Sequence, residues 1–177
     1  MVTMEPWGIR DATAEDAELI ARLIRDSFRD VAVRFSLTPE NCPKHPSNCD
    51  TSWVSSDRGR GVQYFIASSQ CESVGCVGLE EGSESLSFLE RLAVLPEHRR
   101  HGLGTSLVEH AALRAKSNGS TRLSAAIIAD HIELRNWYLD LGFVETGRRD
   151  FPHLPFTVAF LERRIDGSAN LVMHSTA

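Results

Sequence analysis

The stretch Leu86-Ser87-Phe88-Leu89-Glu90-Arg91-Leu92-Ala93-Val94-Leu95-Pro96-Glu97-His98-Arg99-Arg100-His101-Gly102-Leu103-Gly104 decides how the chain is read. Its first ten residues alternate well enough for a strand with one buried face, and Pro96 stops the run because proline cannot donate to a β-ladder. Downstream, Leu103, Leu107, Val108, Ala111, Ala112 and Ala115 recur at helical spacing as far as Asn118-Gly119, a suitable C-terminal stop. Residues 99–104 are therefore a basic, glycine-bearing turn that carries the chain from strand to helix.

Such a junction suits an anion. The first-turn amides of a helix lack intrahelical partners and sit at the positive end of its dipole, so successive N–H groups can surround a phosphate or diphosphate. Gly102 and Gly104 permit close backbone approach, while Arg99, Arg100 and a protonatable His101 either add positive charge or are simply solvated. A P-loop would end Gly-Lys-Ser/Thr, and Gly104-Thr105 has no lysine. A dinucleotide fingerprint needs a third glycine where Leu107 stands, although Asp130, at the end of the next expected strand, could act as its ribose-binding acid.

Working outward, residues 7–10 read as a first strand, and Thr13-Ala14-Glu15-Asp16 as a capping box before an amphipathic helix with Leu19, Leu23, Ile24, Phe28 and Val31 on its apolar stripe. Periodicity vanishes over 38–61, where Pro39, Pro43, Pro46, Gly59 and Gly61 predict a long loop with one helical turn near Trp53. Residues 62–68 and 73–79 read as paired strands, 123–129 as a buried strand, 132–141 as a helix ended by Gly142, and 143–144 and 156–161 as the last strands. The alternation predicts one α/β domain over 1–166, with a mixed sheet of six to seven strands flanked by about four helices, and a frayed tail over 167–177.

Composition narrows the function classes. The 177 residues are 42% hydrophobic and 24% charged, which fits one globular domain rather than a disordered chain. The net charge of −5 argues against a protein that coats nucleic acid. With no long apolar run and no signal-peptide pattern at Met1-Val2-Thr3-Met4, the expectation is a cytoplasmic protein without a membrane partner. Four cysteines, Cys42, Cys49, Cys71 and Cys76, are too few for a disulfide scaffold of this size, so burial or metal binding is expected of them.

The run from Leu89 to Gly104, with its Arg-x-x-Gly-x-Gly signature, resembles the acyl-CoA binding motif of the GNAT superfamily of N-acetyltransferases. A second landmark, Tyr138-Leu139-Asp140-Leu141-Gly142-Phe143, stands at the expected distance downstream, and the likeness covers roughly residues 86–147. The resemblance implies acetyl-CoA or another acyl-CoA as co-substrate, with its diphosphate on the amides of residues 100–105 and its pantetheine arm paired with the exposed backbone of Leu92, Ala93 and Val94. It implies acyl transfer to a primary amine by direct attack on the thioester, with a backbone N–H near Leu92 facing the developing oxyanion. Arg99, Arg100, His101, Gly102, Leu103, Gly104 and Thr105 then form the cofactor turn.

An amine at neutral pH must lose a proton to attack, and Glu90 is the candidate base, acting through a water. The same residue also reads as a sheet carboxylate paired with Arg91 or Arg122. Tyr138 holds the family's place for the proton donor to the departing thiolate, and it also reads as a packed helix aromatic. His131 stands where the family often has asparagine; it can supply the same N–H to the cofactor arm, or merely start a helix.

Two features lie outside the family pattern. Cys42-x-x-His45-x-x-x-Cys49 is close enough for two thiolates and an imidazole to converge on zinc, with His153, Cys71, Cys76 or water as fourth ligand; it equally fits a proline-stiffened loop with free thiols. The turn Pro152-His153-Leu154-Pro155 lies where the family commonly builds one wall of its acceptor pocket, and His153 could hold the acceptor or serve as another base. Acidic Glu80, Glu81 and Glu84 could attract a cationic amine or be solvated. An alternative function is a non-catalytic CoA-binding or protein-interaction module stiffened by metal at the Cys/His loop.

Overall fold

The computed structural model describes residues 7–167. Its strands are β1 (Trp7–Asp11), β2 (Gln63–Ser69), β3 (Glu72–Glu81), β4 (Leu86–Val94), β5 (Arg122–Ile128), β6 (Val144–Asp150) and β7 (Thr157–Arg164). They form one seven-stranded sheet of order β1-β2-β3-β4-β5-β7-β6. Four helices cover it: α1 (Ala17–Arg34), α2 (Thr51–Gly59), α3 (Leu103–Ser117) and α4 (Ile132–Asp140). The mixed single-domain architecture is as expected. The expected tail, beyond Gly167, and the first six residues lie outside the described residues.

Alternation on β2 shows why helices are needed on both faces. Tyr64 and Ile66 join a core with Ile20, Leu23 and Ile24 of α1 and Val54 of α2, whereas Phe65 and Ala67 join one with Leu107, Val108 and Ala111 of α3 and Tyr138 of α4. All four β2 side chains are at most 1% exposed, so this strand is apolar on both sides.

The sheet opens at its centre. β4 pairs with β5 in parallel only from Leu86 to Phe88, against Arg122 to Ser124. Beyond Phe88, β4 stays with β3 as far as Val94, and β5 stays with β7 as far as Ile128. Among the described residues, the edge of β4 from Leu89 onward therefore has no strand partner on the β5 side.

Three local expectations are corrected. The stretch 38–61 contains a full helix, α2, not one turn: the Asp50 carboxylate accepts the N–H groups of Ser52 (2.8 Å) and Trp53 (3.2 Å), and Val54 and Asp57 bury one face at i, i+3 spacing. β6 runs to Asp150 because it pairs with β7 along its length; its side chains are mostly exposed and carry no apolar signal. β3 extends to Glu81 beyond the expected end at 79, and the turn before it is the two residues Gln70 and Cys71, both at left-handed φ (50° and 70°). Among the described residues, no helix is long and apolar enough to cross a membrane.

Candidate active site

At the mouth of the opening, Gly102 caps α3 with φ +89°, and Arg100 before it has φ +64°. The first helical bond runs from the Ser106 N–H to the Gly102 carbonyl at 3.0 Å, and the amides from Arg100 to Thr105 donate to no backbone carbonyl among the described residues. Six consecutive N–H groups thus cluster where β4 hands over to α3. Trp7 and Trp137 flank this start: a Cβ on Gly102 would lie 3.6 Å from the Trp7 ring, and one on Gly104 3.3 Å from the Trp137 ring.

The side chains of the turn divide. Arg100 and His101 are exposed. Arg99 is committed inward, which revises its expected place as a phosphate ligand. Its Nε donates to the Val94 carbonyl (3.0 Å), one terminal nitrogen to Asp30 Oδ2 (2.6 Å), and the other to the Ser27 carbonyl (2.5 Å) and Asp30 Oδ1 (3.2 Å). The forked pair with Asp30 ties the end of β4 to α1 and leaves Arg99 little free charge.

Glu90 stands opposite Gly78 on β3, whose missing Cβ leaves room for it: a Cβ there would meet Glu90 Cβ at 3.0 Å. Neither expected partner holds Glu90. Arg122 pairs with Glu162 (3.3 Å), and Arg91 pairs with Asp57. Burial, with the Glu80 carboxylate nearby, pushes the Glu90 pKa above the ordinary carboxylate range, and Arg60 only partly opposes this.

Tyr138 is 4% exposed, packed edge-to-face on Trp137 (4.9 Å between centroids) and Phe143 (5.1 Å). Burial holds its phenol protonated far above neutral pH. His131 caps α4: its Nδ1 accepts the Leu134 N–H at 3.4 Å, which leaves the proton of the neutral ring on Nε2. Burial and then Arg34 lower the His131 pKa, so the neutral ring is favoured. Its ring lies 5.6 Å from that of Phe35, and Arg34 pairs with Glu133 at 2.8 Å, so the end of α1 meets the start of α4.

The zinc expectation is overturned. No group of three or more metal-ligating side chains forms among the described residues. Cys49 is buried in the α1–α2 core, Cys42 in a separate cluster with Ala32 and Leu37, and burial raises both thiol pKa values, which opposes the thiolate a metal needs. His45 is 5% exposed, with Nδ1 engaged by Ser47 Oγ (2.8 Å) and its ring edge-on to Phe28 (5.9 Å). Cys71 is exposed in the β2–β3 turn, and Cys76 is buried beside Cys49 with no third ligand. Cys42, His45, Cys49 and Cys76 are packed in the interior. Leu154 and Phe156 of the proline turn pack on the cluster around Cys42, while His153 is exposed, 5.7 Å from the Phe151 ring. Asp130 lies exposed after β5. Of the acidic trio, Glu80 pairs with Arg60 (3.5 Å) and Glu81 accepts from Asn118 (2.6 Å).

A further set of residues at this site escaped sequence reasoning. Asp57 on α2 accepts the Tyr64 hydroxyl (2.7 Å), pairs with Arg91 and bridges to Arg60 at 3.0 Å. One signal pointed there: the apolar phase of β4 slips, since Leu89, Leu92 and Val94 all pack against the α3 face, leaving two residues between the first pair and one between the second.

An open mixed sheet whose central strands part over an amide-lined helix start is the architecture of a CoA-binding acyltransferase fold. The model of the acetyltransferase (GNAT) family matches residues 20–143, and the chain belongs to that family. It is 31% identical over 81 residues to an aminoglycoside N(6')-acetyltransferase type 1 of Acinetobacter haemolyticus, a match covering 46% of this chain and 50% of that protein. The chain thus spans about half the length of the curated relatives it matches. Its fold is that of the ribosomal-protein-S18-alanine N-acetyltransferase of Escherichia coli (TM-score 0.70, 16% identity, 94% of this chain and 98% of that one). It is also that of the PaiA N-acetyltransferase of Thermoplasma acidophilum solved with coenzyme A (TM-score 0.69, 17% identity, 91% and 99%).

Proposed function

We propose that this chain transfers an acetyl group from acetyl-CoA to a primary amine by direct attack on the thioester. One observation carries the reading: the unpaired edge of β4 is joined, across the short 3-10 turn Pro96–His98, to six unengaged amides at the start of α3. That continuity suits a ligand with a peptide-like arm and a diphosphate. The amides of residues 100–105 hold the diphosphate, with Arg100 and His101 adding exposed donors, and Leu92, Ala93 and Val94 offer backbone to the arm. Because the Val94 carbonyl already accepts from Arg99, the arm pairs chiefly with the groups before it.

The donor supplies an activated thioester carbonyl, and the chain's residues do the rest. The Leu92 N–H donates to the carbonyl oxygen as negative charge grows there. Glu90 accepts the proton of the incoming ammonium, through a water; its raised pKa brings it nearer the pH at which an amine can be deprotonated. Tyr138, held protonated by burial, gives its proton to the departing sulfur. His131, with its proton on Nε2, donates to the arm.

The relatives named as aminoglycoside N(6')-acetyltransferases support an amine acceptor and put amino sugars first in an acceptor panel. Purified protein offered acetyl-CoA with amino sugars, polyamines, amino acids and peptide N-termini should release free CoA thiol with at least one acceptor. CoA binding without turnover on any amine would favour a non-catalytic module and sink the proposal.

A further inference from the structure

The register of β3 against β4 is broken at the heart of the site. Cys76 faces Ala93 and Gly78 faces Glu90, so Val77 alone stands opposite the pair Arg91 and Leu92. This is a β-bulge, and Arg91 within it has φ +48°, a left-handed conformation that a side chain other than glycine or asparagine seldom holds. Such a backbone persists only where its surroundings over-determine it.

The surroundings here are a polar lock carried by α2. The Arg91 guanidinium pairs with Asp57, donates to the Tyr64 hydroxyl at 3.0 Å and lies over the Trp53 ring at 5.7 Å. Tyr64 donates in turn to Asp57 Oδ2 at 2.7 Å, and Arg60 takes Asp57 Oδ1 at 3.0 Å. Asp57 and Tyr64 are each 1% exposed, so the centre of the lock is shielded from water, where its hydrogen bonds are strongest. Arg91 is flanked by Glu90 and Leu92, the two groups to which acetyl transfer assigns proton acceptance and oxyanion donation.

We infer that Asp57 is a positioning residue: through Arg91 it fixes the bulge in β4, and so sets the angle between the Glu90 carboxylate and the Leu92 N–H. The inference rests on the acetyl-transfer reading and adds α2 to the machinery. The amides of residues 100–105 stand apart from the lock, so its loss should weigh on the geometry of transfer far more than on the diphosphate contact that dominates cofactor binding.

The test separates positioning from mere stability. Asp57→Asn takes the carboxylate from the half-buried Arg91, and Arg91→Met leaves the buried Asp57 with only the more exposed Arg60, so both should lower Tm together with kcat. The double variant removes both charges and should recover much of the lost Tm. If the lock aims the bulge, its kcat nevertheless stays down about tenfold or more, while KM for acetyl-CoA stays within about twofold. Recovery of wild-type kcat along with Tm would overturn the inference. Should the double variant not fold, Tyr64→Phe keeps the ring and removes only the bridging hydroxyl; a several-fold lower kcat at unchanged acetyl-CoA KM supports the lock, and wild-type kcat overturns it. Absence of turnover by the wild-type protein sinks the acetyl-transfer reading and this inference together, whereas wild-type turnover with a fully active double variant sinks only the inference.

Discussion

Replacing Gly102 by alanine probes the amide cradle through one methyl group. At φ +89° an L-residue pays the left-handed penalty of about 1–2 kcal/mol, equivalent to roughly 5–30-fold in an equilibrium. Space is not the obstacle, since the new Cβ would sit at an ordinary 3.6 Å from the Trp7 ring. If the turn keeps its path, the cost falls on stability, about 2–8 °C in Tm for a chain of this size. If the turn relaxes instead, the amides around residue 102 swing away from the diphosphate, and losing one hydrogen bond to a charged group costs about 1.5–3 kcal/mol, or roughly 10–150-fold in CoA affinity. Gly104→Ala is the control. Gly104 has no left-handed strain, and its helix-propensity gain of about 1 kcal/mol opposes the 3.3 Å crowding against Trp137. Urea unfolding without ligand and calorimetric CoA titration of both variants separate the two losses. A Gly102→Ala protein that keeps both wild-type stability and wild-type CoA affinity would show that the diphosphate does not dock on this turn.

Three other outcomes are expected. Glu90→Gln should cut kcat about 10²–10⁴-fold and abolish the acidic limb of the pH profile. In the wild type that limb should lie above the ordinary glutamate range, because Glu90 ionises only above its raised pKa; a limb at ordinary carboxylate pH would remove Glu90 as the base. Tyr138→Phe should lower turnover far more than it weakens acetyl-CoA binding, and an unchanged single-turnover rate would remove the proton-donor role. Burial lowers the His45 pKa, so the unfolded chain takes up that proton first: stability is full above the ordinary histidine value near 6.5 and falls as pH drops through it. Between about pH 7.5 and about 5.5, wild-type protein should therefore lose more unfolding free energy than His45→Gln, and equal losses would show that His45 is not held neutral.

How much of this was written locally in the chain differs from element to element. The strand, turn and helix over 86–117 were legible because every contribution is short-range: alternation, a proline stop, two glycines and an apolar stripe. α2 was not, because its nine residues carry a weak apolar stripe, its buried face includes the charged Asp57, and its start depends on a carboxylate cap. β6 was half-missed because an exposed edge strand shows no burial pattern, only pairing with β7. The Cys42, His45 and Cys49 spacing was true to a zinc motif, yet spacing along a chain does not say which core each side chain enters. Two of them entered different ones.

The same distinction runs through the site itself. The amide cradle needs only backbone and two glycines, so it can be read from six consecutive residues. The basic side chains around it cannot, because what an arginine does depends on which carboxylate reaches it first. Arg99 looked like a phosphate ligand, but its partner Asp30 lies 69 residues earlier on α1. Arg91 read as one candidate partner of Glu90, and it is half-buried against an aspartate on a helix that local pattern did not reveal. In both cases a long-range ion pair engages the arginine with the protein itself. One arginine then braces the end of β4, and the other braces its bulge. The shape of the opening is thus held from the α1–α2 side, while the amides proposed to hold the diphosphate belong to the start of α3. Substitutions in the first group should act on kcat, and substitutions in the second on acetyl-CoA KM.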